Sequence, residues 1–256
     1  SRLITLITDR PEGVKFGFQE LEGMRYPKAG VSRAPFPRPS GLISSRGRNG
    51  PVWALGGGSG PMEEIAPGGM MGTERLKCLD GVTYAVGAGR SVFKRVEVGR
   101  WVAVADGLPA DETNSAMGFS DIDAFSPSDM YAVGGNGDVW HFDGLKWTQM
   151  GFPSNVELAT VTCAGDGKVY VTGEGGSLWA GGGSTWTQIH KGASSILWND
   201  AVWFRDSLWL TSDYQFRRWD GHRLAPVEHE GQEVLISGQL VGIADKVAVR
   251  VFCCAP

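Results

Sequence analysis

The fold of this chain is decided by residues 131–150, YAVGGNGDVWHFDGLKWTQM. The stretch opens on an aromatic and β-branched run, YAV, and continues into GGNG, a turn rich in residues that accept positive φ. The following DVWHF alternates polar and apolar residues with a period of two, as a half-buried strand does. Asp143-Gly144 then turns the chain into KWTQM. The stretch therefore predicts three short antiparallel strands.

The same pattern recurs along the chain. Residues 170–189 align with residues 131–150 without a gap, and the aromatic matches are Tyr131 with Tyr170, Trp140 with Trp179, and Trp147 with Trp186. Further copies begin at Tyr84, at Leu208 and, more weakly, at Pro51. Because each copy follows another apolar run, the unit has four strands and a spacing of roughly 40 residues, which is typical of a β-propeller blade.

Burial explains why such sheets would form a ring. A four-stranded sheet that is apolar on both faces needs a neighbour on each side, and radial closure supplies one. We therefore expect an all-β protein, with a single β-propeller domain over residues 1–256. Fourth strands are predicted near residues 25, 63, 102, 148, 187 and 225. This count favours six blades, and seven blades is the alternative if the terminal pieces do not combine.

The two ends of the chain read as parts of one blade. Residues 3–8, 14–20 and 24–28 resemble the second, third and fourth strands of a blade that lacks its first strand. Residues 234–244 and 247–253 begin a blade that is not completed. A shared sheet of N- and C-terminal strands would close the ring and remove its open edges.

Trp and Gly recur at matching positions of the repeat. We interpret the fourth-strand tryptophans as filling the space between blades rather than stacking on a ligand; they are Trp101, Trp147 and Trp186. Small residues at the ends of the second strands allow close approach near the axis; they are Gly87, Gly134 and Gly173.

Composition argues against several partners. The formal net charge of −4 gives no electrostatic reason to expect nucleic acid or an anionic membrane. No apolar run approaches the roughly 20 residues that span a bilayer.

Scattered cysteines without C-x₂-C spacing predict no metal site; they are Cys78, Cys163, Cys253 and Cys254. Reduced thiols favour the cytoplasm, and a periplasmic or secreted location stays open because the chain begins at Ser1 rather than at Met.

Residues 29–50 form a proline- and arginine-rich segment without an acidic residue. Its candidate binding residues are Arg33, Arg38, Arg46 and Arg48. One interpretation is a solvated loop that connects blades. The other is a basic arm that docks on an acidic partner surface.

Residues 107–118 stretch one repeat by about seven residues, which predicts an insertion projecting from a face of the disc, where loops carry binding. Asp111 and Glu112 in this insertion are candidates for binding, or ordinary surface charges. The turn at 152–157 and the segment 211–214, with Tyr214, would join the insertion if all three emerge on the same face.

No catalytic motif is present in the sequence. There is no H-E-x-x-H, no G-x-S-x-G and no phosphate-binding loop. His141 and His222 stand beside the repeated Asp-Gly turns, so a structural role is favoured for both. We predict no catalytic residue and no cofactor, which weighs against an enzyme.

The phrase Y-A-V-G-x-x-G-x-V-W-H-F-D-G-x-x-W-T resembles the repeats of bacterial β-propeller proteins, including kelch-like and Asp-box-bearing sets. The Asp-box itself is degenerate, since Gly181 stands at its Asp position and Asp143 is displaced by one place. Glycosidase activity is therefore not implied. The resemblance implies an interaction platform, and some such proteins neutralise a toxin in bacterial competition.

Two functions follow as expectations. The first is a non-enzymatic protein, monomeric when free, that binds another protein through one face and the basic arm, as an immunity-type protein binds its toxin. The second is a propeller that binds a carbohydrate or small substrate at the hub, with lyase or hydrolase activity. Trp53, Trp209 and Tyr214 would then be exposed stacking platforms.

Overall fold

The computed structural model describes five ranges with their side chains: 50–52, 62–66, 72–109, 117–192 and 196–234. It describes backbone strands alone at 2–6, 16–20, 32–34, 40–44, 53–55, 239–243, 246–250 and 252–253. Regular structure in these parts is β-strand, apart from one 3₁₀ turn at Glu174–Gly176. The expectation of an all-β protein is confirmed.

The chain begins with a hairpin and continues into two four-stranded sheets. The hairpin consists of β1 (Arg2–Leu6) and β2 (Phe16–Glu20). Blade 1 consists of β3 (Ser32–Ala34), β4 (Ser40–Ser44), β5 (Pro51–Leu55) and β6 (Glu63–Glu64). Blade 2 consists of β7 (Thr73–Leu79), β8 (Val82–Gly87), β9 (Ser91–Glu97) and β10 (Arg100–Ala103). Each strand of a blade pairs antiparallel with the next, as short connections allow.

Three further sheets repeat this order. Blade 3 consists of β11 (Asp121–Ser126), β12 (Asp129–Gly134), β13 (Asp138–Phe142) and β14 (Trp147–Met150). Blade 4 consists of β15 (Leu158–Cys163), β16 (Val169–Gly173), β17 (Ser177–Gly182) and β18 (Thr185–His190). Blade 5 consists of β19 (Asp200–Phe204), β20 (Ser207–Thr211), β21 (Phe216–Trp219) and β22 (Leu224–Pro226). The three strands predicted within residues 131–150 are confirmed as β12, β13 and β14.

The last strands return to the first. A short ribbon of β23 (Glu228–His229) and β24 (Gln232–Glu233) precedes a hairpin of β25 (Gln239–Ile243) and β26 (Lys246–Arg250). Strand β27 (Phe252–Cys253) then pairs antiparallel with β1, so that Leu3 stands opposite Phe252. The predicted closure by N- and C-terminal strands is confirmed by this pairing.

The first strands of the blades surround the axis. Each contacts the first strand of the next sheet, in the order β3, β7, β11, β15, β19 and β25. Radial order of this kind defines a β-propeller. Five complete blades together with the joined terminal strands fit the count of six blades.

The core lies between blades. Trp147 is 2% exposed in a cluster that combines residues of blades 2 and 3, and its indole Nε1 donates to the Val104 carbonyl at 2.9 Å. Trp101 lies between blades 1 and 2, where its Nε1 donates to Glu63 Oε2 at 3.1 Å. Trp186 is half-buried and packs on Phe152, with ring centroids 5.4 Å apart. These contacts place the repeated tryptophans in the space between blades, as the sequence predicts.

The basic segment is not one continuous loop. Strands Ser32–Ala34 and Ser40–Ser44 lie within residues 29–50, and Arg33 stands opposite Gly41 in their ladder. The proline-rich composition conceals these strands, because they are short and carry no apolar alternation. This finding corrects the interpretation of the segment as a simple connection.

The N-terminal strands pair with each other and with the last strand of the chain. The sequence predicts the second, third and fourth strands of a blade at the N terminus. In the described residues, the sheet is ordered β2, β1, β27, so β1 lies between β2 and the C-terminal strand β27. The predicted strand at 24–28 lies outside the described residues.

The repeated Asp-Gly turns are held by the aspartate side chain. Asp143 Oδ1 accepts hydrogen bonds from the backbone N–H groups of Leu145 and Lys146 at 2.9 and 2.8 Å. Asp220 Oδ1 accepts two equivalent bonds from His222 and Arg223, both at 3.0 Å. The bonds to Lys146 and Leu145 lower the pKa of Asp143 below its ordinary value. Asx turns of this kind explain why Asp recurs at this place.

A pH dependence follows from the Asp143 turn. The folded-state pKa is below the unfolded one, so its stabilisation is present above the ordinary Asp pKa and disappears as the pH falls through the folded value. We expect Asp143→Ala to lower the melting temperature at neutral pH and to lower it less in acid. Thermal unfolding of the variant and the wild type across pH 2–7 checks this. An equal difference at every pH would contradict it.

Candidate functional site

The antiparallel topology separates the connections into two faces. The loop face carries the connections between second and third strands and those between blades; the described examples are 88–90, 104–109, 117–120, 135–137, 151–157, 174–176, 212–215 and 227–234. The turn face carries the other connections, at 80–81, 98–99, 127–128, 143–146, 164–168, 183–184, 205–206 and 220–223. The longer connections lie on the loop face, which makes it the candidate binding surface.

Hydrogen bonds join neighbouring connections of the loop face. Gly137 N donates to the Val156 carbonyl at 2.8 Å, and Glu174 N donates to the Glu157 carbonyl at 2.8 Å. Gly89 N donates to the Met117 carbonyl at 2.8 Å. These bonds fix one connection to the next, so the face presents a preformed surface.

Glycine permits this close contact at the ends of the second strands. A Cβ on Gly87 would lie 1.8 Å from the Gly72 carbonyl oxygen, and one on Gly134 would lie 2.0 Å from the Gly118 oxygen. A backbone atom at that distance cannot be displaced cheaply, so a side chain is excluded there. The predicted role of these glycines in close approach is confirmed.

The loop face presents an exposed aromatic ring among carboxylates. Tyr214 is 77% exposed, and its backbone N–H donates to Ser212 Oγ at 3.3 Å. Asp213 is also exposed and accepts from Asn199 Nδ2 at 2.8 Å. Further exposed carboxylates on this face are Asp106, Glu157, Glu174, Glu228, Glu230 and Glu233. The described part of the face is therefore acidic, with Tyr214 as its large exposed ring.

The structure describes the side chain of one predicted binding residue, Tyr214. Tyr214 lies on the loop face together with the turn at 152–157, so the condition of a shared face is met for these two segments. Arg33 is described by its backbone alone, in β3. Five predicted residues lie outside the described ranges, namely Arg38, Arg46, Arg48, Asp111 and Glu112. The described ends of the 107–118 insertion, at 107–109 and 117–118, emerge on the loop face.

A buried cluster that no sequence motif indicates lies where blade 2 meets blade 3. Arg90 Nε donates to Asp138 Oδ2 at 2.6 Å, and the guanidinium lies 5.4 Å from the centroid of Trp140. Trp140 Nε1 donates to Asp138 Oδ1 at 2.8 Å. Arg90 also has a positive φ of 54°. The cluster anchors the 88–90 turn to the next blade and so shapes the loop face.

The sequence analysis also missed an ionic network at the hub. Arg75 extends from β7 to β19, where its Nη2 donates to the Asn199 carbonyl at 2.9 Å. The same guanidinium also contacts two carboxylates: Nε lies 3.3 Å from Asp121 Oδ1, and Nη1 lies 3.8 Å from Asp200 Oδ1. The side chain of Arg75 thus bridges three first strands across the axis.

A second cation extends the network. Lys77 Nζ lies 3.5 Å from Asp121 Oδ2 and 3.6 Å from Asp123 Oδ2, and it donates to the Val161 carbonyl at 3.2 Å. Asp121 Oδ2 also accepts from Val161 N at 3.0 Å. Burial lowers the pKa of Lys77, but Asp121 and Asp123 outweigh burial and raise it. Burial raises the pKa of Asp123, and Lys77 opposes that rise.

The hub network bears on the substrate-binding alternative. Arg75 and Lys77 occupy the described part of the axis and bind carboxylates and carbonyls of the protein itself. Their alternation along β7, with Asp121 and Asp123 along β11, is the signal that sequence reasoning could have used. The contacts favour a structural function for this part of the hub.

Metal and membrane sites are not indicated in the described residues. Within those residues, no group of three or more His, Cys, Asp or Glu side chains is arranged to hold a metal ion. In the same parts of the chain, no helix is long and apolar enough to cross a membrane. Burial raises the pKa of the Cys163 thiol, and Asp123 adds to the rise. A thiol of this kind is a poor nucleophile at neutral pH.

Comparison with known proteins gives one sequence relative. No protein-family model matches the chain. Over 129 residues the chain is 34% identical to "Immune protein Tsi7" of Pseudomonas aeruginosa strain PAO1. The alignment covers 48% of this chain and 42% of that protein. The chain therefore spans less than half the length of this curated relative.

Solved structures confirm the fold. Virginiamycin B lyase from Staphylococcus aureus, in a catalytically inactive variant with quinupristin, has a TM-score of 0.65 at 12% identity, over 83% of this chain and 73% of the lyase. The Cps50 (Swd1) β-propeller domain of Myceliophthora thermophila has a TM-score of 0.56 at 12% identity, over 83% and 76% of the two chains. At such identities the likeness shows a β-propeller of four-stranded sheets and nothing about activity. The kelch-like and Asp-box-like repeat assignments stay predictions.

Proposed function

We propose that this protein is an immunity-type protein that binds and neutralises a toxin protein. The observation that carries the proposal is the 34% identity to a protein named an immune protein. The fold supports it, since a rigid propeller presents a large surface without a cost for ordering loops on binding.

The loop face is the surface that we assign to the toxin. Its connections are joined by hydrogen bonds, and Tyr214 projects from it with 77% of its surface exposed. Exposed Tyr is among the residues that dominate binding energy at protein interfaces. The surrounding carboxylates would direct the approach of a partner with a basic surface.

The basic segment is a second proposed contact. Arg33, Arg38, Arg46 and Arg48 would pair with acidic groups of the same partner. Charge reversal of Arg33, Arg38 and Arg46 is expected to slow association, and the effect should fade as salt rises. Stopped-flow measurements at two salt concentrations give the association rate constant. A rate constant unchanged by charge reversal would exclude the basic segment from the interface.

A protection assay tests the proposed function. Secreted-toxin candidates encoded beside this protein's gene would be induced in Escherichia coli with and without this protein. We expect one of them to arrest growth alone and to lose that effect when this protein is present, with the two co-purifying. Growth arrest by every toxic candidate despite co-expression would overturn the proposal.

The role of Tyr214 is tested with a matched control on the other face. We expect Tyr214→Ala to weaken toxin binding at least tenfold, about 1.4 kcal/mol, because a large exposed ring is removed. Leu145 is 81% exposed in the 143–146 turn on the turn face, so Leu145→Ala should leave affinity unchanged. Isothermal titration calorimetry compares the two, and the reverse order would place the interface on the turn face.

A further inference from the structure

A cleft separates blades 4 and 5 and opens on the turn face. Its volume is about 640 Å³, which is within the range of small-molecule sites. The residues that define this cleft here are Tyr170, Ala180 and Thr187 of blade 4 and Trp203, Asp206 and Trp219, which belong to blade 5 or its turn. The cleft lies on the opposite face from Tyr214, so it is separate from the proposed toxin surface.

Comparison of two repeats explains why the cleft exists. Tyr131 of blade 3 stands opposite His141 in the strand ladder, and Tyr170 of blade 4 stands opposite Ala180 in the same register. The His141 ring packs on Tyr131 with centroids 4.6 Å apart and bonds to Asp129 Oδ1 at 2.8 Å. Ala180 lacks this ring. The space beside Tyr170 is therefore open where the preceding repeat is filled.

The walls of the cleft combine an aromatic pair with ionised groups. Trp203 stacks on Tyr170, with centroids 5.7 Å apart and planes 19° apart. The Tyr170 hydroxyl donates to Asp166 Oδ2 at 2.8 Å, which fixes the ring pair and the carboxylate together. Lys168 Nζ lies 3.3 Å from the same oxygen. Trp203 stays half-buried and lines the cleft.

Asp166 and Tyr170 each keep one protonation state at neutral pH. Burial raises the pKa of Asp166, but hydrogen bonds from Tyr170 and Lys168 outweigh burial and lower it. Burial and the bond to Asp166 raise the pKa of Tyr170. Asp166 is thus a carboxylate acceptor and Tyr170 a neutral phenol. These groups hold one arrangement across the physiological range.

The charged and polar side chains of the cleft indicate which class of ligand it would bind. The cleft contains two carboxylates, Asp166 and Asp206, one ammonium group on Lys168, and the hydroxyl of Thr187. Lys168 pairs with Asp166, so one net negative charge remains on Asp206 beside mixed donors and acceptors, and this balance does not favour an anion. An aromatic face beside mixed donors and acceptors suits a ligand with hydroxyl groups at its edge and an apolar face.

We propose that the cleft between blades 4 and 5 is a binding site for a neutral saccharide. The ring face of Trp203 would pack on the apolar face of the sugar, and Asp206, Lys168 and Thr187 would bond to its hydroxyls. Because the cleft lies away from the loop face, sugar and toxin would bind independently. The site also differs in place from the hub site that the sequence analysis considers.

Saturation-transfer NMR of the wild-type protein tests the site with glucose, galactose, N-acetylglucosamine, maltose and cellobiose, and with arginine amide as a charged probe. We expect at least one neutral sugar to bind with millimolar affinity and to change tryptophan fluorescence. Ala180→His introduces the ring that blade 3 carries at this repeat position, His141. Because this ring would fill space in the cleft, the variant is expected to weaken sugar binding at least tenfold. Binding of arginine amide alone, or of no probe, would overturn the proposal.

Two threonines at the same repeat position provide a second test of the cleft if Ala180→His does not fold. Thr187 and Thr148 occupy the same repeat position and both are exposed, but Thr187 alone lines the cleft. Thr187→Ala and Asp206→Asn are expected to weaken sugar binding, and Thr148→Ala to leave it unchanged. Equal affinity in all three variants would overturn the assignment of the cleft. Toxin protection unaffected in each variant would show that the two sites are separate.

Discussion

Replacing Trp147 by alanine is expected to lower the free energy of unfolding by about 3–5 kcal/mol. Trp147 is 2% exposed, lies 5.2 Å from Phe142 and 6.1 Å from Phe119 between ring centroids, and bonds across to the preceding blade through Val104. The variant creates a cavity between two blades and leaves the Val104 carbonyl without this donor. Urea denaturation of the variant and the wild type measures the loss.

The matched control uses the same repeat position in the next blade. Trp186 is half-buried, and its indole Nε1 donates locally to the Gly183 carbonyl at 3.0 Å. We expect Trp186→Ala to cost clearly less than Trp147→Ala, since fewer contacts are lost. If both variants lower the free energy of unfolding equally, burial between blades does not determine how much each tryptophan stabilises the protein.

Removing the central carboxylate of the hub is expected to have a comparable effect. Asp121 is fully buried, faces both Arg75 and Lys77, and accepts from Val161 N. Asp121→Ala leaves two buried cations with less compensation, which typically costs about 3–5 kcal/mol. Chemical denaturation gives the value.

Two further variants separate the contributions at the hub. Asp121→Asn keeps an acceptor for Val161 N and removes the charge, so it should cost less than Asp121→Ala. Asp129 is hydrogen-bonded to His141 but is 45% exposed, and Asp129→Ala should cost no more than about 1 kcal/mol. If Asp121→Ala costs as little as Asp129→Ala, the hub network does not stabilise the ring.

The architecture was predictable because its signals are local and repeated. The period-two alternation of β13, the glycine turns and the Asp143-Gly144 turn each follow from preferences within a few residues. Trp147 and Trp186 recur at a fixed spacing, which predicts that a shared structural position holds them. Repetition made the β-propeller the economical way to bury both faces of each sheet.

The candidate surfaces were predictable only in part. The sequence singled out Tyr214 because the segment 211–214 could share a face with the 107–118 insertion; the structure exposes the ring on the loop face, and binding by this ring stays a prediction. Arg90 and Asp138 were missed, since their 2.6 Å contact joins residues 48 positions apart. Strands β3 and β4 were hidden by proline and arginine, because pairing with β5 rather than local preference holds them in the sheet.

The sequence by itself determined the four-stranded unit, its repetition and the positions of turns and tryptophans, because short-range preferences and periodicity act within one unit. Only the tertiary structure decided which charges meet at the axis, where Arg75 reaches Asn199 across 124 residues of chain. It also decided that Ala180, at the repeat position of His141, lines a cleft between blades 4 and 5. Such contacts depend on how whole sheets stack, which no local pattern records.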